Sequence, residues 1–177
     1  MPTDLERLAH TLLARCGEKA SIVDIGCGTG RDMAWFEQRS LHVIGVDRSD
    51  GMLAYARRAV RGSLVSMDVR SLAFRDESFD AAWCCASLLH LPRTDAPLAL
   101  GEIRRVLKVD APLMLSMQEG QGDAWEPGYG TDIERYFVRY GSAELEHMLA
   151  MAGFSVVEMV RTVHPLRTWL AYLSVAR

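Results

Sequence analysis

Val23-Asp24-Ile25-Gly26-Cys27-Gly28-Thr29-Gly30-Arg31-Asp32 reads as a buried strand that turns through three glycines straight into a helix. Glycine permits positive φ and lets backbone approach a ligand closely. The helix that follows offers free N–H groups to a polar or anionic group. A second apolar run, Leu41-His42-Val43-Ile44-Gly45-Val46, ends on Asp47, and a third, Ser63-Leu64-Val65-Ser66-Met67, ends on Asp68. Acids at three successive strand ends line one edge of a parallel sheet, the edge where open α/β sheets bind ligands. The glycines are spaced G-x-G-x-G. The dinucleotide fingerprint G-x-G-x-x-G/A would put its third small residue at Arg31, which is too large for close helix–strand packing. That argues against an NAD or FAD site.

Working outward, Leu5, Leu8, Ala9, Leu12 and Leu13 recur at helical spacing, with Thr3 and Glu6 as a capping box before them and Gly17 as the stop. Strands are predicted at 21–25, 41–46 and 63–67, with a helix over 29–39 and another that Ser49 caps. Residues 79–85 form an almost uniformly apolar run, as a central parallel strand requires. A helix starting near Pro92 and Pro97 presents Leu100, Ile103 and Leu107 to the core, and a fifth strand covers 113–118. Residues 119–141 read as one long connection rich in glycine and aromatics; a connection of that length in a compact domain is usually functional. Ser142 caps a last helix that Gly153 ends, and strands at 154–160 and 168–176 follow. The short link 161–167 has no room for a crossover helix, so these two strands pair antiparallel.

Taken together, these segments resemble a class I S-adenosylmethionine (SAM)-dependent methyltransferase of the small compact type. Val23 to Gly30 is similar to the family's first motif, Val46-Asp47-Arg48-Ser49 with Met52-Leu53 to the segment after its second strand, and Met67-Asp68-Val69 to the third. Phe74 to Asp80 with Leu89-His90-Leu91 resembles the run through the fourth strand, Ile103 to Lys108 the helix before the fifth, and Glu144-Leu145 through Gly153-Phe154 the approach to the sixth. The likeness runs in order over nearly the whole chain. One departure is Lys108-Val109-Asp110-Ala111, where the family usually has Lys-Pro-Gly-Gly. The resemblance implies a Rossmann-like, mostly parallel seven-stranded α/β sheet with its seventh strand antiparallel and helices on both faces. The domain expected is a single one over 1–177, with 1–20 an N-terminal helix and 119–141 a substrate-covering segment.

The chemistry of SAM then assigns expected roles. The ribose diol wants a bidentate acceptor, supplied by Asp47, and the adenine amino group an acceptor, supplied by Asp68; Arg48, Met52 and Val69 cover the ring. The methionine part lies over Gly26, Cys27, Gly28 and Gly30. Asp24 orients that loop or meets the amine, Arg31 meets the carboxylate, and backbone at Cys85 and Ala86 completes the pocket. Transfer is an in-line displacement that leaves S-adenosyl-L-homocysteine, so the protein chiefly aligns and desolvates the acceptor. His90 is read either as a general base or as a hydrogen-bonded structural histidine. Glu119, Trp125, Tyr129 and Tyr136 are the substrate-side candidates, the aromatics either covering a small organic acceptor or packing as core.

The length of 177 residues suits one well-buried domain, and 49% hydrophobic residues is ordinary for a globular chain. A net charge of −3 gives no footprint for nucleic acid or an anionic membrane. Arg57-Arg58-Arg61 and Arg104-Arg105-Lys108 read as solvated helix ends. No apolar run has membrane length, no signal peptide is read, and Cys16, Cys27, Cys84 and Cys85 read as reduced thiols, so a cytoplasmic protein is expected. The residues after the fourth strand, Cys84-Cys85-Ala86-Ser87, are not the Asn/Asp-Pro-Pro-Tyr of nucleobase and glutamine methyltransferases, and no acid ends that strand to hold a metal. A small-molecule acceptor, no metal, and a monomer or homodimer are expected. The alternative is a non-catalytic SAM-binding partner or regulatory protein. An aminopropyl transferase would carry an added N-terminal sheet.

Overall fold

The computed structural model describes residues 2–17, 19–128 and 132–177. Its elements are α1 (Thr3–Cys16), β1 (Ser21–Ile25), α2 (Arg31–Glu37), β2 (His42–Asp47), α3 (Asp50–Ala56), β3 (Ser63–Ser66) and β4 (Ala81–Cys85). They continue with α4 (Ala96–Val106), β5 (Pro112–Gln118), β6 (Asp123–Pro127), β7 (Glu134–Val138), α5 (Ser142–Met151), β8 (Phe154–His164) and β9 (Arg167–Ala176). Seven strands form one sheet in the order β3-β2-β1-β4-β5-β9-β8. β1 to β5 pair in parallel, whereas β9 is antiparallel to both β5 and β8. The chain is thus α/β with a single reversed strand, as its resemblance implied.

The period-2 alternation of the strands sorts the core into two layers. Ile22, Trp83 and Met114 face Leu8, Leu12, Met33, Phe36 and Leu53 of α1, α2 and α3. Val23, Cys84, Leu113 and Leu115 face Leu100, Ile103, Leu145 and Leu149 of α4 and α5. The central strands β4 and β5 are buried on both faces, which is why they read as unbroken apolar runs. The sheet's carboxyl edge is left for the loops after β1, β2, β3 and β4.

The turn that departs from the family's usual sequence is closed by local contacts. Asp110 takes φ 62°, a left-handed conformation that Asp tolerates better than most residues. Its N–H donates to the Ala176 carbonyl at 2.9 Å, and Arg177 pairs with its carboxylate.

Four local expectations are corrected. Residues 119–141 are not one irregular connection: β6 and β7 within them form a separate two-stranded antiparallel sheet, with Trp125 opposite Tyr136. Trp125, Tyr136, Phe137 and Val138 are strong strand formers, and Pro127 falls on a two-stranded ribbon's end where a missing N–H costs little. The link between the last two strands is not 161–167 but Pro165-Leu166, because β8 runs on to His164. The Thr3/Glu6 capping box does not form; Pro2 precedes α1 without a side-chain cap, and the Glu6 carboxylate instead accepts from the Trp35 indole at 3.2 Å. Ser142 likewise is the first residue of α5 after Gly141, not its cap. Ser49 does cap α3, accepting from the Met52 N–H at 3.3 Å.

Candidate active site

The glycine loop is built for close approach. Gly26 has φ 71°, and a Cβ there would lie 2.0 Å from Ser87 Oγ. Gly28 has φ 55°, and a Cβ there would meet nothing within 4 Å, so its backbone is open to a ligand. The Gly26 and Cys27 N–H groups both donate to the Val46 carbonyl, at 2.7 and 3.0 Å, which ties the loop to the end of β2. Asp47 completes that tie. Its Oδ2 accepts from the Gly28 N–H and its Oδ1 from the Ser49 N–H, both at 2.8 Å. Each oxygen keeps a further lone pair for a hydroxyl donor.

A cavity of about 580 Å³ opens along this edge. Of the residues expected at the site, Gly26, Gly28, Asp47, Arg48, Met52, Asp68, Val69, Ala86, His90, Trp125 and Tyr136 line it. Val46, Ser49, Met67, Ser87, Leu91, Glu134 and Arg135 line it as well and were missed. Ser87 had an indirect signal, since a glycine at 26 must make room for something; Glu134 and Arg135 had none. Ala86 adopts φ 53°, unusual for a residue with a side chain, and its N–H donates to Ser116 Oγ at 3.0 Å.

Asp24, Cys27, Gly30, Arg31 and Cys85 stand behind or beside the cavity wall rather than on it. Asp24 is buried, and its Oδ2 has no hydrogen-bond partner. Burial, followed by the charges of Asp32 and Asp47, pushes its carboxyl well above the usual range, with Arg31 opposing. Burial also raises the Cys27 thiol, and it raises Cys85 to about 11, so neither is a thiolate at neutral pH. Arg31 lies across Asp32, Nε to Oδ1 at 2.6 Å and Nη2 to Oδ2 at 2.9 Å, and its Nη2 reaches Cys85 Sγ at 3.6 Å. Asp68 accepts from the Arg70 side chain, Nε at 2.9 Å, and from the Arg70 N–H at 2.9 Å. Those hydrogen bonds hold its carboxyl at about 2.

His90 follows β4 on a single 3₁₀ turn, Leu88–His90. Its Nδ1 lies 2.7 Å from the Tyr136 carbonyl and its ring packs on Phe137 with centroids 4.9 Å apart. A carbonyl only accepts, so Nδ1 carries the hydrogen and the neutral ring keeps its lone pair on Nε2. Burial moves the imidazole pKa below its ordinary value, with the Arg135 charge acting the same way and the Tyr136 carbonyl and Asp47 against it.

The β6–β7 hairpin divides its aromatics. Trp125 is 67% exposed at the cavity rim and tilts against Tyr136, centroids 5.6 Å apart, while Phe137, Val138 and Tyr140 are buried in the core. The Tyr136 hydroxyl donates to Asp123. Tyr129 lies outside the described residues. Glu119 is not brought to this cavity. Its carboxylate accepts from Arg161 Nε at 2.7 Å, and it lines a second cavity of about 440 Å³ with Glu126, Arg139 and His164. No cluster of three or more His, Cys, Asp or Glu suited to a metal occurs among the described residues.

The cavity also has relatives. The profile of the Methyltransferase domain family matches residues 23–115. Malonyl-[acyl-carrier protein] O-methyltransferase of Erwinia pyrifoliae is 36% identical over 140 residues, covering 70% of this chain and 49% of that protein. This chain spans about half the length, 49% and 43%, of the first curated relatives it matches. A SAM-dependent methyltransferase of Methanosarcina mazei shares the fold with a TM-score of 0.83 at 20% identity, over 96% of both chains. So does the Burkholderia thailandensis 1,6-didemethyltoxoflavin-N1-methyltransferase, solved with 1,6-didemethyltoxoflavin and S-adenosylhomocysteine: TM-score 0.79 and 24% identity, over 98% of this chain and 78% of that one.

Proposed function

The chain belongs to the class I SAM-dependent methyltransferases, and we propose that it transfers a methyl group from SAM to a small-molecule acceptor. The observation that carries this reading is the single cavity walled by Gly26, Gly28, Asp47, Asp68 and Ala86 at the carboxyl ends of parallel strands. When bound, SAM supplies an electrophilic methyl group on a sulfonium. The residues fit it. Asp47, fixed by two backbone N–H groups, accepts from the ribose diol. Asp68, ionised and oriented by Arg70, accepts from the adenine amino group, with Met52 and Val69 as apolar cover. Gly28 leaves room for the amino-acid part, the buried orphan oxygen of Asp24 is a hydrogen-bond acceptor for its amine, and Arg31 is a counter-charge for its carboxylate.

His90 takes the proton when the acceptor arrives protonated. The Tyr136 carbonyl fixes its Nδ1–H, which leaves Nε2 as the proton acceptor, and burial keeps the ring neutral near pH 7. Trp125 and Tyr136 supply apolar cover for the acceptor on the hairpin side. A small organic acceptor agrees with the heterocycle bound by the Burkholderia neighbour. No helix among the described residues is long and apolar enough to cross a membrane, and the four cysteines are free; we take the cytoplasm as the place of action.

Calorimetric titration tests the cofactor. SAM and S-adenosylhomocysteine should each bind at one site per chain and NADH should not bind. Binding of NADH in preference to SAM overturns the assignment.

A further inference from the structure

Along the sheet edge the strands run β3, β2, β1, β4, and they present Asp68, Asp47, the glycine loop and then Cys85. That order matches adenine, ribose and amino-acid end in the reading above, on which this inference rests. The amino-acid end is a zwitterion, so its receptor needs one anion and one cation. Asp24 supplies the acidic group, its buried Oδ2 an acceptor without a hydrogen-bond partner among the described residues. In register, Asp24 lies directly beside Trp83 of β4. The cation nearby is Arg31.

The way Arg31 is held is unusual for a surface arginine. Asp32, in the first turn of α2, is only 5% exposed. A carboxylate so buried is costly unless hydrogen-bonded and paired. Its Oδ2 accepts from the buried Trp83 indole Nε1 at 2.9 Å, and both its oxygens accept from Arg31. Two parallel N–H···O bonds fix the plane of a guanidinium as well as its position. Trp83 therefore fixes Asp32, and Asp32 fixes Arg31. The arginine side chain stays 57% exposed, and its Nη1 makes no hydrogen bond among the described residues. Its outward edge is a preformed fork beside the end of β4, as its contact with Cys85 records.

We propose that Asp32 and Trp83 are positioning residues that hold Arg31 as the receptor for the carboxylate of the cofactor's amino-acid end. Neither touches the cavity; they act through the arginine. The pairing makes a distinction that a purely structural ion pair would not. Loss of the clamp should weaken ligands that carry the carboxylate and spare those that lack it.

The test uses two probes that cannot react: S-adenosylhomocysteine, and 5′-methylthioadenosine, which has the nucleoside and thioether without the amino acid. Both are titrated calorimetrically into wild type, Asp32→Asn, Arg31→Lys and Trp83→Phe, each checked by thermal melt. Asp32→Asn and Arg31→Lys should weaken S-adenosylhomocysteine about tenfold, as for one misaligned charge-assisted bond, and leave 5′-methylthioadenosine within about twofold. Trp83→Phe, which removes only the indole donor, should fall between wild type and Asp32→Asn. If Asp32→Asn fails to fold, Trp83→Phe, which keeps Asp32 and Arg31 and removes only the indole donor, carries the test. Equal weakening of both probes, or none of either, overturns the proposal. A wild type that binds neither probe overturns the SAM reading itself, a result distinct from the other two.

Discussion

Residues 21–69 and residues 119–141 wall the same cavity, yet they were not equally readable. In the first region the cavity-lining positions that were expected are local events. A parallel strand stops, a glycine turns or an acid follows, and the helix begins. Gly26, Gly28, Asp47 and Asp68 could be named from the chain because sheet topology alone brings successive strand ends to one edge. In the second region, function depends on what the segment docks against. The β6–β7 hairpin is joined to the rest by the His90–Tyr136 carbonyl bond, by Arg93, which donates to the Arg139 carbonyl, and by the stack of Arg93 on Tyr140. Nothing in the order of residues 119–141 reveals those partners.

The sharpest way to break this comparison is to mutate two neighbours on β7. Phe137 is fully buried against the core, whereas Tyr136 faces the cavity. Phe137→Ala should destabilise the fold by roughly 3–5 kcal/mol, as for a core aromatic. Tyr136→Ala should leave the melting temperature within a few degrees of wild type, since the ring is only partly buried. Chemical denaturation of the two variants checks the contrast. Similar losses from both would mean the hairpin is core throughout and not a cover.

Next in size is Asp47→Ala. This change removes the proposed ribose acceptor and the anchor of the Gly28 and Ser49 N–H groups together. SAM affinity should fall by roughly 2–4 kcal/mol, the cost of a lost charge-assisted, bidentate contact. Calorimetry giving equal affinity for wild type and mutant would remove Asp47 from the site.

The same division explains what the sequence left open. The seven-stranded sheet with β9 reversed, the Ser49 cap and the cofactor-side acids all follow from short-range patterns. The orientation of Arg31 does not, because it depends on Asp32 and on Trp83, a strand residue 51 positions away. His90 could be named but its tautomer could not, since the Tyr136 carbonyl arrives from β7. The turn at Asp110 was legible only as a departure from the family; its left-handed φ and its contacts with Ala176 and Arg177 were not.

His90 links the two regions, and its pH behaviour tests the link. Burial lowers its pKa, so the neutral ring predominates above the ordinary value of 6.5 and the base form is lost as pH falls through the lowered value. The acid limb of kcat/KM should therefore lie below pH 6.5. His90→Gln should remove that limb and lower turnover by about 10²-fold, as expected for loss of a general base. A few-fold loss with the limb intact would make His90 a strut between the 3₁₀ turn and β7, and no more.

The smallest effect is expected at Trp125, and it decides to which half of the cavity the hairpin belongs. Trp125 is 67% exposed, and its described ring contact is the tilted stack on Tyr136. Its backbone stays paired across the ribbon whatever the side chain. Trp125→Ala should thus change stability by no more than about 0.5 kcal/mol, as for a surface site. The ribose and adenine contacts assigned to Asp47 and Asp68 lie on other elements, so SAM affinity should stay within about 1 kcal/mol, near-additivity being the rule for separate sites. The acceptor's KM should rise while kcat at saturation changes less, because the indole contributes cover and not chemistry. If S-adenosylhomocysteine binding instead collapses as it does in Asp47→Ala, the hairpin roofs the cofactor. Acceptor recognition would then pass to the other side of the sheet edge, where α1 and the β8–β9 turn remain.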